Sequence, residues 1–140
     1  MGDQAPWRVR GIRGATTVSQ NTPDAIREAT HELLSEMVKR NAVDPADVAS
    51  AYFTTTPDLD SEFPAVVARH DFGWEDVALM CGHEIDVPGS LRMCLRILLH
   101  VNSQRRQDEV EFVYLRGARA LRPDLDALPD QDDQSAAAAK

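Results

Sequence analysis

Of the 15 basic side chains in this 140-residue chain, only Lys39 and Lys140 are lysines, and the rest are arginines. GC-rich coding produces such a bias. So does a protein that grips carboxylates, because the planar guanidinium makes paired hydrogen bonds that an ammonium does not. Position bears on the choice. Arg13 closes a short alternating segment, Arg122 precedes Pro123, and Arg96 interrupts a run whose odd positions are all apolar. A charge in mid-sheet is costly unless its face is wet, paired or holding an anion. Arg96 is therefore either a structural ion-pair partner of Glu84 or Asp86, or a cation that meets an anionic ligand.

The other reactive side chains form weaker patterns. Cys81-Gly82-His83-Glu84, followed by Cys94 and His100, is rich in potential ligands. It lacks the paired spacing of a structural zinc site, and no second histidine follows His83-Glu84 as a metalloprotease helix requires. A cysteine nucleophile assisted by His83 has no evident third group to orient it. Gly11 and Gly14 lack the lysine and hydroxyl residue of a phosphate loop. These readings predict neither metal nor cofactor.

The elements that must position the arginines are a sheet and one long helix. Residues 7–13 alternate apolar and polar, which predicts a strand, and residues 14–21 read as a loop of small and hydroxyl residues. Thr22-Pro23 is a cap followed by proline at the first helical position. Ile26, Ala29, Leu33 and Met37 then recur at helical spacing, so the helix ends near Asn41. Asp44-Pro45 suits a single turn, residues 48–55 a strand, residues 63–70 a short helix and residues 77–81 a buried strand. From 91 to 101, Leu91, Met93, Leu95, Ile97, Leu99 and Val101 hold every odd position, and only Leu98 breaks the alternation. A helix would smear Arg92 and Arg96 among the leucines, so a strand is predicted there. Residues 110–115 suit a last strand, with 102–108 as a hairpin connection. The fold class is α+β, with about five strands and one long helix.

The length suits one domain that buries roughly 70% of its unfolded surface. A net charge of −8 disfavours nonspecific nucleic-acid binding, and no apolar run suits a membrane helix. With no export pattern, Cys81 and Cys94 read as free thiols of a cytoplasmic protein. The expected divisions are a flexible leader at 1–6, a folded domain at 7–125, and an acidic low-complexity tail at 126–140.

Several strings sharpen this picture. Residues 10–18, RGIRGATTV, resemble the opening of the trimeric, AroH-type chorismate mutases. Thr56-Pro57-Asp58-Leu59 followed by Phe63-Pro64-Ala65, the segments 81–86 and 91–96, and the strings 113–115 and 121–125 match that family in order and spacing. The resemblance implies a mixed sheet packed by one helix, in a pseudo-barrel homotrimer with sites between subunits. It implies rearrangement of chorismate to prephenate on the route to phenylalanine and tyrosine, without metal or cofactor. Carried over residue by residue, Arg96 addresses the ether oxygen and a carboxylate. Arg13 and Tyr114 hold the enolpyruvyl carboxylate, and Glu84 accepts from the ring hydroxyl with Cys81 nearby. Phe63 and Leu121 are apolar walls, while Arg69 and Arg122 lie near the ring carboxylate. Val66 departs from the pattern, since the family often has a lysine there. Two other classes stay in view. One is a trimeric small-acid binder or imine deaminase resembling the RidA group, and the other is a non-catalytic subunit of the same fold. The joint presence of Glu84, Arg96 and Tyr114 favours the mutase.

Overall fold

A computed structural model describes residues 5–125, so the tail expected at 126–140 and most of the leader lie outside the described residues. The chain runs β1 (Arg8–Thr17), α1 (Pro23–Arg40), β2 (Val48–Thr55), α2 (Ala65–Asp71), β3 (Ala78–His83), β4 (Cys94–Ser103) and β5 (Val113–Tyr114). Short 3-10 turns join several of them. The sheet order is β3-β2-β4-β1-β5. Central β4 is antiparallel to β2 and β1, and the edge strands β3 and β5 run parallel to their neighbours. No helix among the described residues is long and apolar enough to cross a membrane.

Helix α1 forms where its punctuation dictates. The Thr22 hydroxyl accepts from the Ala25 N–H at 3.2 Å, and Pro23 occupies the first turn, where a missing N–H costs nothing. Past the other end, Asn41 donates to the Met37 carbonyl and exchanges hydrogen bonds with the Glu111 backbone, tying the helix end to the approach to β5. The helix buries Ile26, Ala29, Leu33, Leu34 and Met37 against Leu95, Ile97, Leu99 and Val101 of β4 and Ile12 of β1. The odd face of β4 is thus the core face, as the alternation predicts, and its even positions point to the other side. Among the described residues neither helix packs on that second side; the turns after β5 cover it at Ala15 and Tyr114, and the rest carries Val9, Tyr52, Met80 and Leu98 beside Arg13 and Arg96. This is the open face of the sheet.

Three expectations need correction. The loop expected at 14–21 is strand through Thr17, because the small Gly14 lets α1 lie directly on β1 and the β-branched threonines extend easily. A Cβ at Gly14 would stand 2.4 Å from Met37 Sδ and 3.0 Å from Leu33 Cδ1. Residues 102–108 do not close a hairpin, since β1 lies between β4 and β5 and β5 pairs with β1 alone. The predicted strands 91–101 and 110–115 shrink or shift to Cys94–Ser103 and Val113–Tyr114. Met93 has φ +52°, a left-handed turn from which an extended ladder cannot start.

The Gly14 contact gives a measurable expectation. Met37 and Leu33 are wholly buried, so neither has open space into which to yield. Gly14→Ala should destabilise the fold by about 1–3 kcal/mol, the usual cost of overfilling a packed core. Urea unfolding should show a lower midpoint with an unchanged slope; an unchanged midpoint would mean that the helix lifts freely off β1.

Candidate active site

One row of paired residues crosses the open face. Thr54 of β2 is the register partner of Arg96 on β4, Arg96 of Ala15 on β1, and Ala15 of Tyr114 on β5. Arg96 and Tyr114 are thus two strands apart, about 10 Å at the backbone, with only a methyl group between them. Arg13, two residues before Ala15, lies on the same face and is exposed. It belongs to the middle of β1 rather than to a strand end. Tyr114 is buried with Ala15 and Ala118, and Leu121 packs against that cluster.

Glu84 enters this row from the end of β3. Its N–H donates to the Thr55 carbonyl at 2.8 Å, which carries the strand pairing one residue further and turns the side chain toward Arg96. The Thr54 hydroxyl donates to Glu84 Oε2. The same carboxylate oxygen stands 3.6 Å from Arg96 Nε. That is an ion pair but not a hydrogen bond. Arg96 Nε is buried and has no hydrogen-bond partner among the described residues. Asp86, the other partner considered for Arg96, lies instead 3.5 Å from Arg92. The ion pair with Glu84 is therefore present and leaves the Arg96 Nε donor without a hydrogen bond.

Arg122 follows the last turns beside Tyr114. Its guanidinium forms a paired contact with Asp124 at 3.1 and 2.9 Å. That contact raises the arginine's pKa and lowers the aspartate's. The Asp124 side chain is largely in solvent and that of Arg122 partly so, and such a pair contributes little to stability.

Phe63 and Cys81 lie elsewhere. They line a cleft of about 340 Å³ together with Thr55, Leu59, Pro64 and His83, on the α2 side of β3. Phe63 is 70% exposed, which is unusual for a phenylalanine that has only packing to do. Burial pushes the Cys81 thiol up against weaker opposition from an Ala65 backbone contact and the Arg69 charge. Cys94 is also raised, by burial first. Thiols held protonated are poor nucleophiles, so neither supports covalent catalysis. Arg69 is exposed on α2. A single chain thus places Arg13, Glu84, Arg96, Tyr114, Leu121 and Arg122 in one group on or beside the open face and Phe63 and Cys81 in the cleft, with the exposed Arg69 near Cys81 on α2. Glu84 follows directly after the cleft-lining His83. Among the described residues no three His, Cys, Asp or Glu side chains are grouped so as to hold a metal ion.

Two functional side chains escape the sequence reading. Thr54 was legible only as a strand residue, since its contact with Glu84 depends on how β2 and β3 pair. Asp58 fixes the entry to β4. Burial alone would raise its carboxyl, but the Thr56 hydroxyl, the Met93 N–H and the Arg92 guanidinium together hold it below the usual carboxylate range. The donors stand at 2.5 Å for Thr56 and 3.0 Å for Met93. A carboxyl lowered on folding stabilises the native state above the ordinary aspartate range, near pH 4, and that stabilisation is lost as pH falls through the lowered value. Asp58→Asn should cost about 1 kcal/mol at neutral pH and less at about pH 2. Denaturant titrations of both proteins at the two pH values check this; an equal gap at both would exclude the charge as its source.

A sequence profile of the chorismate mutase type I family matches residues 9–125. The chain is 41% identical over 117 residues to the chorismate mutase AroH of Bacillus subtilis (strain 168), covering 84% of this chain and 92% of that one. It is 48% identical over 120 residues to the chorismate mutase AroH of Thermus thermophilus, covering 85% and 98% respectively. Among solved structures, a chorismate mutase from Clostridium thermocellum is similar at a TM-score of 0.77 and 50% identity, over 79% of this chain and 97% of that one.

Proposed function

The chain belongs to the chorismate mutase type I family, and from that premise we propose that the open-face row around Arg96 is where it rearranges chorismate to prephenate. It is an isomerase of aromatic amino acid biosynthesis. The reaction is unimolecular: the ether carbon–oxygen bond breaks as a new carbon–carbon bond forms, with no proton transfer and no covalent intermediate. A protein accelerates such a step by folding the substrate into the reactive pose and by setting fixed charge where charge develops. The ether oxygen gains negative charge as its bond breaks, and a buried donor with no other partner is the group suited to meet it.

The observation that carries this assignment is Arg96 Nε, shielded from solvent, without a hydrogen bond among the described residues, and one strand away from the buried cluster of Ala15 and Tyr114. Arg96 serves the ether oxygen and one carboxylate. Arg13 and Tyr114 hold the enolpyruvyl carboxylate, and Glu84 takes the ring hydroxyl. Phe63 and Leu121 wall the ring, Cys81 lines its edge, and Arg69 and Arg122 meet the outer carboxylate. Val66 offers no cation where relatives often carry lysine, which weakens attraction of a dianion without touching the ether-oxygen contact. Purified protein mixed with chorismate should consume its ultraviolet absorbance and yield prephenate. No turnover above the spontaneous rate would overturn the assignment.

The working form proposed is a cytoplasmic homotrimer in which the cleft of one subunit closes over the cationic row of the next. Support comes from the separation of the two half-sites and from the uncovered apolar side of the sheet, where Met80 is 66% and Tyr52 39% exposed. Light scattering that showed a fully active monomer would reject this assembly.

A further inference from the structure

We infer that Thr54 is a positioning residue: its hydroxyl holds the Glu84 carboxylate off Arg96 and so keeps the Nε–H of that arginine available to the substrate. The inference rests on the reading of Arg96 just given. A carboxylate beside a guanidinium ordinarily closes to a charge-assisted contact of about 2.8 Å, often paired. Here it stops short, with Glu84 Oε2 at 3.6 Å from Arg96 Nε. The atom that takes up Oε2 is the Thr54 hydroxyl, which donates to it from the adjacent strand. Thr54 is the register partner of Arg96 and shares its face, so it sits where it can hold the carboxylate back. It is also buried, which limits the competition of solvent for that hydrogen bond. The consequence is visible in the arginine, whose buried Nε is left without a hydrogen bond.

The choice of a hydroxyl matters. It is neutral, so it satisfies the carboxylate without discharging Glu84 or Arg96. Both charges stay in place, separated by less than one atomic diameter beyond contact, and the carboxylate does not close onto the Nε–H. Such preorganisation is where electrostatic catalysis gains most. Without the hydroxyl, the carboxylate is free to rotate onto Nε and compete with substrate for the one donor aimed at the reacting bond.

The test is steady-state turnover of chorismate by Thr54→Val, Thr54→Ala and Thr54→Ser, each alone and combined with Glu84→Gln, after circular dichroism shows that each folds. Valine preserves the shape and removes the donor. It should lower kcat about tenfold or more, a modest share of what misplacement costs in an active site. KM should change less, because the ether oxygen takes up its charge mainly in the transition state. Alanine, which cannot overfill the site, should reproduce the valine result, and serine should restore most of the turnover. In the Glu84→Gln background, valine should add less than about a twofold loss, since Thr54 acts through that carboxylate. Full activity of the valine variant, failure of serine to rescue, or the same loss with and without the Glu84 charge would each overturn the inference. A wild-type protein inactive on chorismate would instead remove the reading of Arg96, and this inference with it.

Discussion

Replacing Arg96 with alanine should lower kcat at least about a hundredfold, or roughly 3 kcal/mol, the cost typical of deleting one donor to a developing oxyanion. The loss falls on kcat because substrate in its ground state places little charge on the ether oxygen, so binding has less to lose than the transition state. Arg96→Lys should remain badly impaired. The donor that is buried and unpartnered is Nε, part-way along the arginine side chain, and lysine has no nitrogen there. Arg122→Ala is the control. Its guanidinium is already engaged by Asp124 in an exposed pair, and its proposed target is a carboxylate whose charge hardly changes during the reaction. That variant should act mostly on KM. Kinetics of the three variants settle the matter: near-normal kcat in Arg96→Ala would return Arg96 to the role of ion-pair partner for Glu84.

Arg96 was legible in the sequence for a simple reason. A period-two run with four consecutive odd-position core residues, Leu95, Ile97, Leu99 and Val101, fixes the side on which every even residue lies. Helix α1 was legible because a hydroxyl cap, a proline and an apolar stripe agree on the same start and face. What failed to show depends on pairing between distant segments. Residues 14–17 look like a loop until α1 lies on Gly14. The connection after β4 looks like a hairpin until β1 is known to intervene. Left-handed backbone at Ala42, Met93 and Arg116 carries no glycine to announce it. The hydroxyl of Thr54 is the functional instance of the same limit, since three separate segments must meet before it has anything to hold. The family resemblance supplied residue roles that periodicity could not, and the geometry adds the part the resemblance left out.

The second large effect concerns the open face itself. Leu98 pairs in register with Arg13 on β1 and Tyr52 on β2, and its Cδ1 lies over Gly11, 3.9 Å from where a Cβ would stand there. It is thus seated in the middle of the uncovered apolar side, two residues from Arg96. In a monomer Leu98→Asp would cost little, because a half-exposed aspartate on a wet face keeps its hydration. In the proposed trimer the same carboxylate would be desolvated between subunits beside Met80 and Tyr52, with Arg13, its register neighbour, offsetting only part of that cost. Several kcal/mol of desolvation in each subunit exceeds what a moderate interface can absorb. Leu98→Asp should therefore sediment as a folded monomer and lose more than about a hundredfold of its activity per chain, because the cleft of a second subunit no longer reaches the cationic row. Leu98→Met, similar in volume and apolar, should keep both assembly and turnover. The pair of variants separates the two halves of the argument. A monomeric but fully active Leu98→Asp would mean that one chain completes its own site, and an unchanged trimer would mean that subunits meet through another surface.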